Sequence, residues 1–580
     1  MKTLHKLREK PKFFESEFFV FDTETTPFKT NERVKFIFGV VYGYGYKKII
    51  HSVQEFREEF LKPMYNKKKV FAHNAEFDLN VLYDNVYLLD KRAIFNGNFI
   101  CATNEVCTFA DSMNIFPTSV KNIGKLIGKD KKELSKVFWD SSEITENDIN
   151  YCIRDCEIIF DALLEIFNKA GAVKITLAGL SMDLFRRFYQ KLNIEYDTNT
   201  CNKFFDSYYG GRCEAFYIGD CNGTVYDINS MYPYAMYETK FPNPKYLKTL
   251  KNVKPESFIE NYLDNYEGMC FCNVKHLDNF FGFLPLRYND KLVFPTGTFK
   301  GHWNFNEIRF ALANKVIEII EVTEIVYAPA MESPFKDYVL ECYRLRQENT
   351  TEFNSYLYKL FANSLYGKFA QKINSEQIYI EDMVKDFQII QDYKKSGKLK
   401  EIKMFNEFRN DCFIEIVSES IKYMSNTIPV FSSYITSFAR VELLKKILEY
   451  KEFKPLYCDT DSVFFAIDPL IANSKLLGEF KKEDKIINHI SGLKNYDYIC
   501  DNKKRRKLKG VPEFTDKEKT QQLEPINNIY NYESLVKSKE GLRRNIQAGT
   551  FIKRTKQVRS KYDKRNVSID GETTALHLFL

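Results

Sequence analysis

The sequence predicts an α/β and α+β multidomain protein, and three observations predict it. The chain has 580 residues, enough for several separate hydrophobic cores. Its composition, 44% apolar and 28% charged, is that of an ordinary globular protein and excludes a disordered one. In two distant halves of the chain, short apolar runs that end on acidic residues stand beside amphipathic helical stretches.

The first such place lies near the N-terminus. Phe18 to Phe21 reads as a buried strand running into Asp22-Thr23-Glu24, and acids at i and i+2 on a strand point to one side. Lys69 to Ala72 reads as a second short strand, ending in His73-Asn74-Ala75-Glu76-Phe77-Asp78 before a helical turn. Thr145 with Asp148 three residues on opens a helix as an acidic variant of the capping box. That helix presents Tyr151 and Asp155 on one face and Ile149, Ile153, Cys156, Phe160 and Leu163 on the opposite one. Asp22, Glu24, Asp78 and Asp155 can converge, and four gathered carboxylates repel one another unless cations sit between them. Mg²⁺ or Mn²⁺ suits such hard oxygen ligands. Two such ions, with Tyr151 orienting a water, suit phosphodiester hydrolysis.

The second place is split across the chain. Val225-Tyr226-Asp227 reads as a strand end, and Leu456 to Phe465 as two short strands with a turn at Asp459 and Asp461. If the hairpin pairs with the first strand, Asp227 meets Asp459 and a second two-metal site forms. Between them, Lys359, Asn363 and Tyr366 make one polar helical stripe suited to a triphosphate and a base, while Leu360, Phe361 and Leu365 pack elsewhere.

Composition adds context. From Lys494 onward there are 20 Lys+Arg against 11 Asp+Glu, so the final segment carries the surplus behind the net charge of +7. It reads either as a phosphate-binding surface or as a solvated one. The 51 Phe and 37 Tyr read mainly as core, with some free to stack on bases. Thirteen cysteines without CxxC spacing read as reduced thiols, as in a cytoplasmic protein. The N-terminus has no apolar signal core, and no apolar run reaches about 18 residues, so no membrane partner is expected.

These motifs carry a family resemblance. FDTETT, HNAEFD and YCIRD resemble the three motifs of DEDD-type 3′→5′ proofreading exonucleases with Tyr in the third, which implies an RNase H-like fold. By that resemblance Asn74 and Phe77 contact a single-stranded 3′ end. Asp111-Ser112-Met113 and Lys131 to Leu134 are similar to smaller DNA-contact motifs, a plain basic loop being the other reading of the second. DINSMYP, KLFANSLYG and YCDTDS resemble motifs A, B and C of family B DNA polymerases, implying a right-hand polymerase of palm, fingers and thumb. The carry-over gives Asp227 and Asp459 the two metals and Asp461 a supporting part. It sets Lys359 on the incoming triphosphate, Asn363, Tyr366 and Tyr232 at the nucleotide, and Tyr232 against a ribose 2′-hydroxyl. Arg346, or else Arg344, adds a phosphate contact.

Tyr208, Gly210 and Gly211 of YYGGR are similar to the YxGG segment of the protein-primed branch, and Lys494 with Tyr496 to the KxY motif of the thumb. The basic stretch 541–554 looks like a surface facing nucleic acid. The resemblance implies an exonuclease unit near 1–175 and a polymerase unit near 176–580. Within the latter it implies a palm about 190–241 and 426–490, fingers about 336–375, a thumb about 491–580, and two insertions about 242–335 and 376–425, the second open to reading as a flexible Lys-rich loop. The expected partners are DNA template and primer, dNTPs, a terminal priming protein and a single-stranded-DNA-binding protein, for a monomer in the cytoplasm of a phage-infected or plasmid-bearing cell. The expected cofactors are two Mg²⁺ or Mn²⁺ ions per site. A family B enzyme with ordinary nucleic-acid primers, and a nuclease whose second half only binds DNA, are the competing readings.

Overall fold

The computed structural model describes residues 1–8, 15–89, 91–95, 98–135, 138, 143–348, 351–380, 382–406, 411–424, 426–511, 529–544, 546–558 and 562–580. The N-terminal unit is a seven-stranded mixed sheet. Its centre is parallel: Phe18–Thr25 pairs with Lys69–Ala72, which pairs with Thr108–Asp111. Strands buried on both faces read as continuous apolar runs, and Phe18, Phe19, Val20 and Phe21 are all buried. The helix Glu146–Ala170 covers one face. Its capping box is formed by Thr145 and Asp148 as the sequence indicates, and it stops at Gly171, whose φ of 64° suits a residue without Cβ. Phe160 stacks on Phe18 with ring centres 4.8 Å apart.

A second seven-stranded sheet is wholly antiparallel. Cys213–Ala215, Pro455–Asp459, Ser462–Phe465, Gly219–Ile228, Phe480–Gly492, Asn495–Cys500 and Lys503–Leu508 follow one another across it. The last two strands belong to the same sheet as Asp227, so it runs on past position 491, where the sequence drew the start of the thumb. The helix Pro429–Glu449, two-thirds of whose residues are buried, packs beside it. Two helices, Lys336–Glu348 and Glu352–Ser364, lie against each other and precede the short helix Tyr366–Ala370.

The span 242–335 contains a five-stranded sheet. Its edge is completed by His577–Phe579, parallel to Thr296–Asn304. The described residues of the span 376–425 form regular elements, against the flexible-loop reading. Lys372–Ile380, Asp411–Tyr423 and Leu399–Asn406 form a sheet, and Tyr393, Lys394 and Lys395 end the helix Phe387–Lys395. The polar Ser396-Gly397 pair makes the turn that follows, with Gly397 at φ 68°.

Candidate active sites: two carboxylate clusters

The parallel strand order brings the N-terminal acids together. Asp22 and Glu24 leave the end of their strand, and Asp78 stands on the helix Ala75–Tyr83. A sharp strand-to-helix turn aims that helix: Asn74 is left-handed, with φ 75° and ψ 46°. The Asn74 N–H donates to Asp111 Oδ1 at 3.0 Å, as does that of Met113 at 2.9 Å. Ser112 Oγ donates to the Ala72 carbonyl. Asp111 and Ser112, expected as DNA contacts, are thus buried braces of the turn, and Met113 alone of the three is exposed. His73 is a further brace, bonded to Ser112 Oγ and the Thr118 carbonyl, and burial lowers its pKa to about 4, leaving it neutral. Asn74 is exposed and Phe77 half-buried against Phe28.

Asp78 Oδ1 accepts from the Thr23 hydroxyl at 2.6 Å and the Thr23 N–H at 3.2 Å, locking the helix to the first strand. Burial, and then the charge of Asp155, raise the Asp22 pKa to about 7. Burial and neighbouring acids hold Glu24 and Asp78 well above the carboxylate range. Lys131 binds Asp155 and lies 4.6 Å from the centre of the Tyr151 ring. Lys131, read from sequence as part of a DNA-contact motif or of a plain basic loop, thus stands against two of the expected site residues. Tyr151, raised by burial, stays a neutral hydroxyl that can orient water but not take its proton. Four acids against one lysine leave excess negative charge, which is what a pair of divalent cations neutralises.

The second cluster forms at the antiparallel sheet. Asp227 and Asp459 both register with Ser462, on opposite sides of the strand Ser462–Phe465. The connecting turn is tight: Thr460 has φ 64°, and Asp461 N–H donates to the Asp459 carbonyl at 2.7 Å. This turn brings Asp461 to Asp227. The Ile228 N–H donates to the Asp461 carbonyl at 2.7 Å, and Asp461 is the strongest charge acting on Asp227. Burial, then Asp461, raise Asp227 to about 7; burial, then Asp459, raise Asp461 to about 6. The expected pairing of Asp227 with Asp459 therefore changes: Asp461 faces Asp227, while Asp459 forms an ion pair with Lys494 at 3.3 Å. The cause is the reversal at Thr460, which folds the second acid inward.

The other expected residues gather around this turn. Tyr232 and Tyr366 stack with ring centres 4.3 Å apart, and both feel Tyr208. Lys359 acts on Asp227 across the cleft, and Asn363 Nδ2 donates to the Lys359 carbonyl one turn back. Arg346 donates to Ser230 Oγ at 3.2 Å, whereas Arg344 is engaged by Glu341 and Glu348. Gly211 packs on the turn itself. A Cβ there would meet the Thr460 side chain at 2.8 Å, and Thr460 N–H donates to the Arg212 carbonyl at 2.7 Å. Gly210 faces open space, and its carbonyl accepts from Arg440. Lys494 N–H donates to the Tyr457 hydroxyl, and Tyr496 packs edge-on against Phe464.

Glu483, the pair Arg440 and Glu307, and Cys152 were not singled out from sequence. Glu483 comes next after Asp461 among the charges on Asp227; strand pairing brings it there opposite Val225. Arg440 and Glu307 form a buried pair at 2.8 Å that fixes the Tyr209 and Gly210 carbonyls. The Cys152 Sγ lies 3.6 Å from Asp22 Oδ2. The basic stretch 541–554 is less free than expected, since Arg544 and Arg554 both bind Glu540. Asn545 lies outside the described residues.

The sequence profile of the family described as "DNA polymerase type B, organellar and viral" matches residues 125–450, more than half of the chain. The DNA-directed DNA polymerase of Enterobacteria phage PRD1 is 28% identical over 487 residues, covering 79% of this chain and 78% of its own. The DNA polymerase of Streptococcus phage Cp-1 is 24% identical, covering 71% and 76%. A probable DNA polymerase of Neurospora intermedia is 28% identical, and there the chain spans about half of the relative, 53%. In fold, the chain is similar to Phi29 DNA polymerase, with a TM-score of 0.69 at 17% identity over 95% of this chain and 100% of that one. With the profile covering the helices and strands that carry Asp155, Asp227 and Lys359, the chain belongs to the type B DNA polymerases of the organellar and viral kind.

Proposed function

We propose that this polymerase extends DNA at the Asp227–Asp461 cluster, trims mispaired 3′ ends at the Asp22–Glu24–Asp78–Asp155 cluster, and starts synthesis on a hydroxyl of a terminal protein. One observation carries the reading: a single chain holds two separate carboxylate clusters, each with its own cations and tyrosines. In the polymerase cleft, one divalent ion would lower the pKa of the attacking 3′-hydroxyl and the other would neutralise the leaving pyrophosphate. Asp227 and Asp461 would hold them, with Glu483 and Asp459 flanking. Lys359 and Arg346 offer cations to the triphosphate. The stacked Tyr232 and Tyr366 offer a flat wall to base and sugar. In the trimming site, Asp22, Glu24, Asp78 and Asp155 would hold the ions that activate a water, and Lys131 and Tyr151 orient the attacked phosphate and that water.

The protein-primed start is supported by the Tyr208–Gly211 segment braced against the catalytic turn, and by the folded sheets in the two spans expected as insertions. Phi29 DNA polymerase is known in complex with primer-template DNA and with incoming nucleotide substrates. The test uses the full chain with Mg²⁺. A labelled primer–template is extended when dNTPs are present and shortened when they are withheld. Candidate terminal protein with labelled dNTP yields nucleotide covalently attached to protein. Extension without any shortening would remove the trimming role. A terminal protein that stays unlabelled while a DNA primer is extended would favour ordinary nucleic-acid priming.

A further inference from the structure

Cys152 has no part in the chemistry above, yet it stands inside the trimming site. It is fully buried on the helix Glu146–Ala170, one turn before Asp155 and next to Tyr151. Donor atoms of Asp22, Glu24 and Cys152 all lie within 4.8 Å of one another. Tetrahedral zinc, with Zn–S about 2.3 Å and Zn–O about 2.1 Å, holds those two donors about 3.6 Å apart. Cys152 Sγ is 3.6 Å from Asp22 Oδ2. A second observation points the same way: Asp155 Oδ1 is buried without a hydrogen-bond partner, on the same helix face at i+3. Lys131 occupies the other oxygen of Asp155.

We infer that Cys152 makes the trimming centre a site for thiophilic divalent metals of the Zn²⁺ type, bound by the Cys152 sulfur with the Asp22 and Glu24 carboxylates. The inference rests on reading this cluster as a metal-dependent nuclease centre. Soft thiolate shifts a carboxylate site toward zinc-like ions and away from Mg²⁺. Without metal the Cys152 S–H donates hydrogen bonds to Asp22, to the carboxylate at 3.6 Å and to the backbone carbonyl at 3.8 Å. On binding, the metal–sulfur bond forms as the S–H bond breaks, and the proton leaves to solvent. In the polymerase cluster the two nearby sulfurs stand apart from Asp227: Cys458, one residue before Asp459, is turned to the opposite face by alternation along the strand, and Cys213, in register with Asp459, lies on the strand farther from Asp227 and is bonded to the Tyr457 hydroxyl. The same metal should therefore separate the two activities.

The experiment titrates the full chain with Cd²⁺ as a spectroscopic stand-in and records the ultraviolet thiolate-to-cadmium charge-transfer band. Wild type is expected to give a saturable band that Cys152→Ser and Cys152→Ala both lose. Asp22→Ala is expected to weaken Cd²⁺ binding by more than about tenfold. In Mg²⁺, added Zn²⁺ is expected to arrest trimming by wild type at concentrations that leave extension running. A band that survives both Cys152 variants, or an Asp22→Ala variant that binds Cd²⁺ as tightly as wild type, overturns the inference. So does Zn²⁺ that stops both activities together. Absence of Mg²⁺-supported trimming in wild type sinks the nuclease reading instead, whatever the band does.

Discussion

The two carboxylate clusters use the same side chains in opposite surroundings. The N-terminal one sits where parallel strands end beneath a long helix, its acids mostly enclosed and opposed by the single cation Lys131. The second sits on an antiparallel hairpin at the mouth of a cleft, with Lys359, Lys485 and Lys494 all acting on its acids. Burial drives protonation in both, but the second is already partly neutralised by the protein. The contrast teaches that, on the proposed function, the enclosed cluster would depend more on bound ions, which would supply the charge balance that lysines share at the open site.

Substitutions can break this comparison, and the largest effects come from the acids. Asp227→Ala should cut nucleotide incorporation by at least about 10³-fold, with trimming of single strands retained, in a primer assay run with and without dNTPs. Loss of both activities in a folded protein would mean that the clusters are not independent. Asp22→Ala with Glu24→Ala should lower trimming by a similar factor, about 10³-fold, and leave extension of a matched primer intact. Gly211→Val forces a side chain onto Thr460 and should displace the catalytic turn, lowering kcat for incorporation by roughly ten- to a hundredfold. Unchanged kcat would show that the turn is not held from that side. Tyr232→Ala should raise ribonucleotide incorporation about tenfold; unaltered sugar selection would remove Tyr232 from that role.

The smallest effect concerns acidity. The Asp22 pKa is raised to about 7 from an ordinary value of 3.8. The folded state therefore holds more protons than the unfolded one between those values, and stability falls as pH rises through that window. Metal-free Asp22→Asn should thus unfold a few degrees higher than wild type at pH about 8, with little difference at pH about 4. Mg²⁺ should close the gap at the higher pH. A gap that is equal at both pH values would deny the proton uptake.

Much of this was legible in the sequence because it is local. A strand ending on Asp22 and Glu24, a capping box at Thr145 and the Tyr151–Asp155 spacing all follow from periods of two and 3.6 residues. The roles inside Asp459-Thr460-Asp461 were not legible, since they turn on the left-handed backbone of Thr460, which a β-branched residue rarely adopts. Glu483 was hidden in a run of lysines and reaches Asp227 only through strand register. Arg440 and Glu307 lie 133 positions apart and meet only after two helices dock. Lys131 read equally as a loop residue, because nothing nearby in the chain shows what it faces.

The Asn31 N–H donates to the Phe551 carbonyl, Phe551 N–H donates to the Glu32 carbonyl, and Phe28 stacks on the Phe551 ring. Ser538 adds bonds to Glu76 and Asn80. The N-terminal unit is thereby latched to a strand roughly five hundred residues later, a closure whose chain entropy makes it a late event in folding. Once shut, the latch keeps the two reaction centres at a fixed separation. On the proposed function, a frayed primer end would make the journey between them by unwinding and swinging.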